Sequence, residues 1–306
     1  MDMDLIPTIG WTLLSLFVAV NYGFMINGLI RKVMARIQGR IGPPLWQPYI
    51  DMGKLLFQRN SIMHGYMHWL GPVFRSVGGI GVFVLLPVVF GDARFQGFSA
   101  YGDLLLVLYF MFFGSLGMAL GAGEGGHPHS PIGVSRGLSQ MTAYELPFIL
   151  AIVAVVAAVG SFQINDIVAV QQGGWQNWFL FSNPFATVAA FIAILGMNMY
   201  APFNIVGAPT EIPVGPPTEY QNTYFSLMMI GRAAFGIAKM VLYMNLFLGG
   251  ATSIAEAFVK VFIIYFWSVF VGAVFPRFRT DHSVAFFLRW PTAIGVAGVL
   301  LTQWMY

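Results

Sequence analysis

The chain has 306 residues, 58% of them hydrophobic and only 9% charged, with a mean hydropathy of +0.73 and a formal net charge of +3. Ordinary soluble domains carry about 25% charged residues, so a chain this poor in charge cannot cover itself with a wetted surface and is a membrane protein. It has no cysteine, which excludes thiolate-bound iron–sulfur clusters, cysteine-ligated nickel and disulfides within this polypeptide.

The opening MDMDLIPT is acidic and unlike the basic n-region of a cleaved signal peptide. Eight apolar segments follow, each near the ~20 residues that a helical bilayer crossing needs: 9–30, 73–90, 104–120, 141–159, 184–200, 224–248, 254–275 and 284–304. The fifth is the shortest. Pro87 and Pro147 fall inside two of them, where neighbouring helices can satisfy the freed backbone groups. No linker or internal repeat divides the chain. The pattern predicts an all-α fold, one domain over residues 1–306, built as a polytopic bundle of eight transmembrane helices.

The first long loop, 31–72, opens with Arg31, Lys32, Arg36 and Arg40, directly after the first apolar segment. Gly42-Pro43-Pro44 stops any helix, because proline has no N–H and restricts its predecessor. The residues around Ile50, Lys54 and Leu55 can then re-form an amphipathic helix on the membrane surface. If the N-terminus lies outside, the inner loops are 31–72, 121–140, 201–223 and 276–283. These hold Arg31, Lys32, Arg36, Arg40, Lys54, Arg59, Arg136, Arg277 and Arg279, whereas the outer loops and termini hold only Arg94. That bias sets orientation and predicts both termini outside. The inner loops are also long and rich in glycine, proline and carboxylates, which suggests a site or docking surface on that side, while the outer connections read as mostly bland.

Ionisable residues within apolar segments are functional candidates by default. Glu145 lies about a turn into the fourth segment, and its position fits equally an interfacial residue paired with Arg136 or a relay carboxylate facing the bundle interior. Glu211 and Glu219 sit in PFNIVGAPTEIPVGPPTEYQ, a loop without a basic residue. Its apolarity predicts that it folds back on the bundle and holds both acids partly dry, with raised pKa values. Arg232 and Lys239, seven apart, share a helical face. Lys239 should lie near the bilayer midplane, within reach of an acid, carbonyl or water on a neighbouring helix rather than facing lipid. Glu256 and Lys260 form an i,i+4 pair, and Asp281 and Arg289 are weaker candidates. His127 and His129 fall short of the three protein ligands of a catalytic zinc site. No metal site, nucleophile triad, phosphate-binding loop or nucleic-acid footprint is read.

ARIQGRIGPPLWQPYIDMGKLL resembles the first cytoplasmic loop of the subunit that joins the hydrophilic and membrane arms of respiratory complex I, a family that includes counterparts in energy-converting membrane-bound nickel–iron hydrogenases. The resemblance continues in IGVSRGLSQMTAYELP, APFNIVGAPTEIPVGPPTEYQ, LFLGG and PRFRTDH, in order over nearly the whole chain. It implies that Arg36, Arg40, Gln47, Asp51, Lys54, Arg136, Tyr144, Arg277 and Arg279 dock the redox arm or line its chamber. It likewise implies that Glu145, Glu211, Glu219, Lys239, Arg232 and Asp281 serve a proton or coupling path. This chain runs directly through GPPLWQP where complex I sequences carry an insertion, like the hydrogenase branch. Asn204 and Gly137 stand where relatives often have acids.

These features predict a non-catalytic membrane-anchor and coupling subunit in a prokaryotic cytoplasmic membrane, most simply of a membrane-bound hydrogenase. Iron–sulfur clusters and a nickel–iron centre would sit on hydrophilic partner subunits on the cytoplasmic side. Antiporter-like membrane subunits and lipid would be the other partners, with no cofactor held by this chain and quinone use left open. A quinone-reducing complex I subunit is the first alternative and a free-standing ion or solute transporter the second.

Overall fold

The computed structural model describes residues 5–59, 64–208, 211–212 and 214–305. The acidic start at residues 1–4, and Pro209, Thr210 and Pro213 of the proline-rich loop, lie outside the described residues. Among the described residues the chain is all-helical, with no strand. Six helices are long and apolar enough to cross a membrane: α1 (Leu5–Ile37), α4 (Leu104–Gly123), α5 (His129–Val159), α9 (Asn222–Phe247), α10 (Ile254–Val274) and α11 (Thr280–Met305). The second and fifth apolar segments form α3 (Tyr66–Val84) and the shorter α8 (Pro184–Asn198). As the amphipathic pattern predicts, a helix follows the Gly-Pro-Pro break: α2 (Gln47–Leu56), with Pro48 in its first turn.

Local chemistry sets several of these boundaries. Asp103 caps α4 by accepting from Leu106 N at 2.8 Å, Asn183 caps α8 through Ala186 N at 3.1 Å, and Ser253 caps α10 through Glu256 N at 3.2 Å. Glu256 in turn accepts from Thr252 N at 2.8 Å and pairs with Lys260 at 2.7 Å, as its spacing predicts. Gly160, with φ +74°, ends α5 in the left-handed conformation that glycine adopts without strain.

Helix α9 is the axis of the bundle; from Ala233 to Phe247 nearly every side chain is buried. Against it lies α3, which also packs along α4, while α5 packs along α8 and α11. The α3–α4 contact is very close. A Cβ on Gly78 would stand 2.5 Å from Gly114 Cα, and one on Gly121 would stand 2.7 Å from Gly71 Cα. Small residues at this spacing let two helix backbones meet inside a membrane. That contact fixes the azimuth of α3, and with it the direction of Arg75.

The connection 160–183, expected to be bland, is not. It folds into α6 (Ile164–Val170), a 3₁₀ turn at Trp175–Asn177 and α7 (Phe179–Ser182). Gln171, fully buried, ties this region to the end of α9. Its amide nitrogen donates to Asn245 O at 2.9 Å and Ile167 O at 3.1 Å, and its oxygen accepts from Gly249 N at 3.1 Å and Phe179 N at 3.3 Å. A polar connection that must be buried needs such partners for its backbone, and a loop read only for charge does not reveal them.

Candidate functional site

The deepest charged group is Lys239, only 7% exposed. Its Nζ donates to the carbonyl of Met197 on α8 at 2.8 Å and lies 5.0 Å from the ring centroid of Phe235, one turn earlier on α9. Met197 lies in the last turn of α8, where carbonyls lack intrahelical partners and can accept from a side chain. A cavity of about 190 Å³ opens beside it, lined by Lys239, Arg75, Tyr144, Glu145, Ser115 and Met199 among others. Glu145 is partly buried there, and among the described residues no hydrogen bond or ion pair holds its carboxylate. Tyr144 is buried beside it and meets Phe287 of α11 edge-on at 6.2 Å.

A second cavity, about 910 Å³ and open to the surface, gathers Arg136, Glu211, Arg277, Arg279, Asp281 and Arg289. Glu211 is clamped between Arg136 (2.7 Å) and Arg277 (3.4 Å), and Arg279 lies 3.4 Å from Asp281. Of the alternatives left open for Glu145, the pairing with Arg136 is removed, because Arg136 bonds Glu211, and the expectation for Glu211 itself is corrected. Glu211 is exposed, and the Arg136 guanidinium bonded to it, helped by Arg277 and Arg279, holds its carboxyl below the usual carboxylate range rather than above it. The loop is apolar enough to fold back, and Ile205, Ala208 and Ile212 are buried, but the fold turns Glu211 outward.

Glu219 goes elsewhere. It lies 3.0 Å from His64 Nε2, an ion-pair distance whose angles do not make an aligned hydrogen bond, and its side chain is largely buried. Next to it, Tyr220 stacks on His68 with centroids 4.3 Å apart and donates to the His68 carbonyl at 2.7 Å. Glu124 accepts from His68 N at 2.6 Å. Arg232 is exposed although Lys239, on the same face of α9, is buried; a shared azimuth does not fix depth. In the first loop, Gln47 donates to Asp51 at 2.7 Å and Asp51 pairs with Arg31 at 3.1 Å, while Arg40 bonds Gln38 and Lys54 is exposed. Arg36 is exposed in the last turn of α1.

The predicted residues therefore fall into four groups. Tyr144, Glu145 and Lys239 share the inner cavity. Arg136, Glu211, Arg277, Arg279 and Asp281 share the surface one, Glu219 stands with two histidines, and the first-loop residues lie on α1, on α2 and, for Arg40, between them, while Arg232 stands apart on α9. Sequence reasoning missed Arg75, His64 and His68. For Arg75 a signal was present, a lone arginine within an apolar segment. Among the described residues no cluster of acids and histidines has the makings of a metal site, and with no cysteine the chain offers no thiolate to a cluster.

A charge-poor helical bundle with ionisable groups around an internal cavity and a charged, loop-rich end defines a multi-pass membrane subunit with polar chemistry inside the membrane. The chain belongs to the family described as NADH dehydrogenase, whose model matches residues 9–303. It is 30% identical to the H subunit of the NADH-quinone oxidoreductase of Protochlamydia amoebophila, covering 90% of each chain. It is 28% identical to the corresponding subunit from Geobacillus kaustophilus, covering 99% of this chain and 97% of that one. A solved chain from the membrane-bound sulfane sulfur reductase, an archaeal respiratory membrane complex, is 34% identical over 96% of this chain and 99% of its own, with a TM-score of 0.90. The protein is thus a prokaryotic multi-pass membrane subunit of a complex I-like respiratory assembly.

Proposed function

We propose that this chain is the non-catalytic anchor and coupling subunit of an ion-translocating oxidoreductase, and that Glu145 and Lys239 form part of its path through the membrane. In this reading α3 and α8 complete eight crossings and both termini face outward. Arg36, Arg40, Gln47, Asp51, Lys54, Arg136, Arg277 and Arg279 present the docking or chamber surface to hydrophilic subunits that carry the iron–sulfur and, in a hydrogenase, nickel–iron centres. Antiporter-like subunits receive the displaced charge. Glu211, Glu219, Arg232 and Asp281 feed the path from the loop side.

The observation that carries this reading is the placement of Lys239 with Glu145 on one internal cavity. A lysine at the centre of a membrane helix costs about 2.5–3.5 kcal/mol on insertion scales, so its retention calls for a role. The test is a separation of activities in membrane vesicles of the assembled complex. Glu145→Gln and Lys239→Met should leave electron transfer to an artificial acceptor in place while ion translocation falls. Normal pumping in both variants would end the assignment.

For the subtype, the direct GPPLWQP run favours a hydrogenase. A second reading, a sulfur-reducing complex, is supported by the 34% identity to the chain from the sulfane sulfur reductase. Purifying the complex through this subunit and assaying hydrogen, polysulfide and quinone turnover separates these from a quinone-reducing enzyme. The anchor role predicts no transport by this chain alone in liposomes, the opposite of a free-standing transporter.

A further inference from the structure

Lys239 is not the only cation against the ring of Phe235. Arg75, on α3, has its Cζ 4.8 Å from that ring's centroid, against 5.0 Å for Lys239 Nζ. Both line the cavity whose one carboxylate is Glu145. Among the described residues neither cation is hydrogen-bonded to or paired with an acid. The other elements around the cavity do not change the balance: α4 brings Ser115, α8 and its C-cap bring Met197 and Met199, and α5 brings Tyr144 besides Glu145. Arg232, further along α9, adds like charge.

Two cations held at one aromatic ring in a low-dielectric interior repel, and the two side chains differ in how they can relieve it. A guanidinium stays protonated in proteins, whereas a buried lysine ammonium exchanges its proton readily. Arg75 also cannot retreat easily, because the glycine contacts between α3 and α4 on either side of it, at Gly71 and Gly78, hold its helix in place.

We propose that Arg75 is a positioning residue of the coupling path, a fixed positive charge that makes Lys239 the group releasing a proton across the cavity to Glu145. In that step an N–H bond at Nζ breaks and an O–H bond forms on the Glu145 carboxylate. The ammonium becomes an amine and the carboxylate an acid, and no electron moves. At about 190 Å³ the cavity is ample for a bridging water, which needs roughly 10–15 Å³ of such space and a few polar partners.

This inference rests on the proposed coupling role of Glu145 and Lys239, so its test is run beside the Lys239→Met variant. In vesicles of the assembled complex, Arg75→Gln should keep electron transfer to an artificial acceptor but lower ion translocation about tenfold near neutral pH. Without the neighbouring charge Lys239 holds its proton to higher pH, so the optimum for translocation should move upward by about one pH unit. Arg75→Lys, which keeps the charge, should restore both rate and optimum. If Arg75→Gln does not assemble, Arg75→His serves instead, and translocation should be retained in acid, where the imidazole is charged, and lost in alkali. An unchanged pH profile in the Gln or His variant, or a Lys variant as defective as the Gln one, would overturn the role of Arg75. If Lys239→Met pumps normally, the path itself fails; if it does not and Arg75→Gln does, only this inference fails.

Discussion

Helix α9 carries two buried polar clusters less than two turns apart, and they are built on opposite rules. At Asn245 and Gln171 the groups are neutral and both side chains bond to backbone. Asn245 donates to Pro87 O at 2.8 Å, Gln171 serves four backbone groups, and Tyr243 donates to Thr187 O at 3.1 Å. At Lys239 and Arg75 the groups are charged, outnumber their one acid and face a cavity. Satisfied amides make a joint with one low-energy arrangement. Under-partnered charges beside space for water leave several arrangements close in energy, which is what a relay needs. One end of α9 is fastened, and in the proposed path its middle is where the charge changes state.

The strongest way to break this contrast is at the fastened end. Gln171→Ala leaves the Phe179 and Gly249 amides and the Asn245 carbonyl without partners in a dry interior. Each group stranded in this way costs about 1–3 kcal/mol. Little assembled complex should accumulate and its thermal midpoint should fall, while electron transfer per assembled complex stays normal. Lys239→Met is the matching test in the middle. It removes a buried charge, so the midpoint should hold or rise although translocation is lost. Equal destabilisation by the two substitutions would erase the distinction between joint and relay.

A smaller effect is expected at the glycine seat of α3. Gly78→Val places its Cβ within the space of Gly114 Cα, and overpacking of this kind costs about 1–3 kcal/mol. Because α3 carries Arg75, translocation should fall more than electron transfer does. Gly53→Val, in α2 with nothing near its Cβ, is the control and should leave the ratio of the two activities unchanged.

Much of the architecture was legible because apolar runs and helices coincide: 104–120 against Leu104–Gly123, and 254–275 against Ile254–Val274. Helix ends were less so. α1 continues through its basic turn to Ile37, and α5 begins at His129, well before its apolar part, since charge and polarity do not themselves stop a helix. Loop 160–183 hid its short helices because the partners of Gln171 lie on α9, far along the chain. Glu145 and Lys239 stood out as ionisable residues in apolar surroundings. Arg75 carried the same signal and was passed over, and what makes it significant, the ring it shares with Lys239, is visible only in the fold. Glu211 was misjudged for the same reason, since its two arginines come from residues 136 and 277.

The smallest expected effect is at that exposed cluster. Arg136, and behind it Arg277 and Arg279, hold the Glu211 carboxyl below its ordinary value, so the ion pairs favour the folded state above the usual carboxylate range. That contribution disappears as pH falls through the lowered value. At neutral pH, Glu211→Gln in the solubilised complex should therefore lower the thermal midpoint only slightly, because exposed ion pairs are screened. The two midpoints should converge as pH drops below about 4, and added salt should narrow the gap at neutral pH. A gap that persisted in acid would show that Glu211 acts through its packing or through a partner subunit rather than through the charges of Arg136 and Arg277. Translocation in the same variant should fall while electron transfer persists, as expected of a carboxylate that feeds the proposed path, and unchanged pumping would remove Glu211 from it.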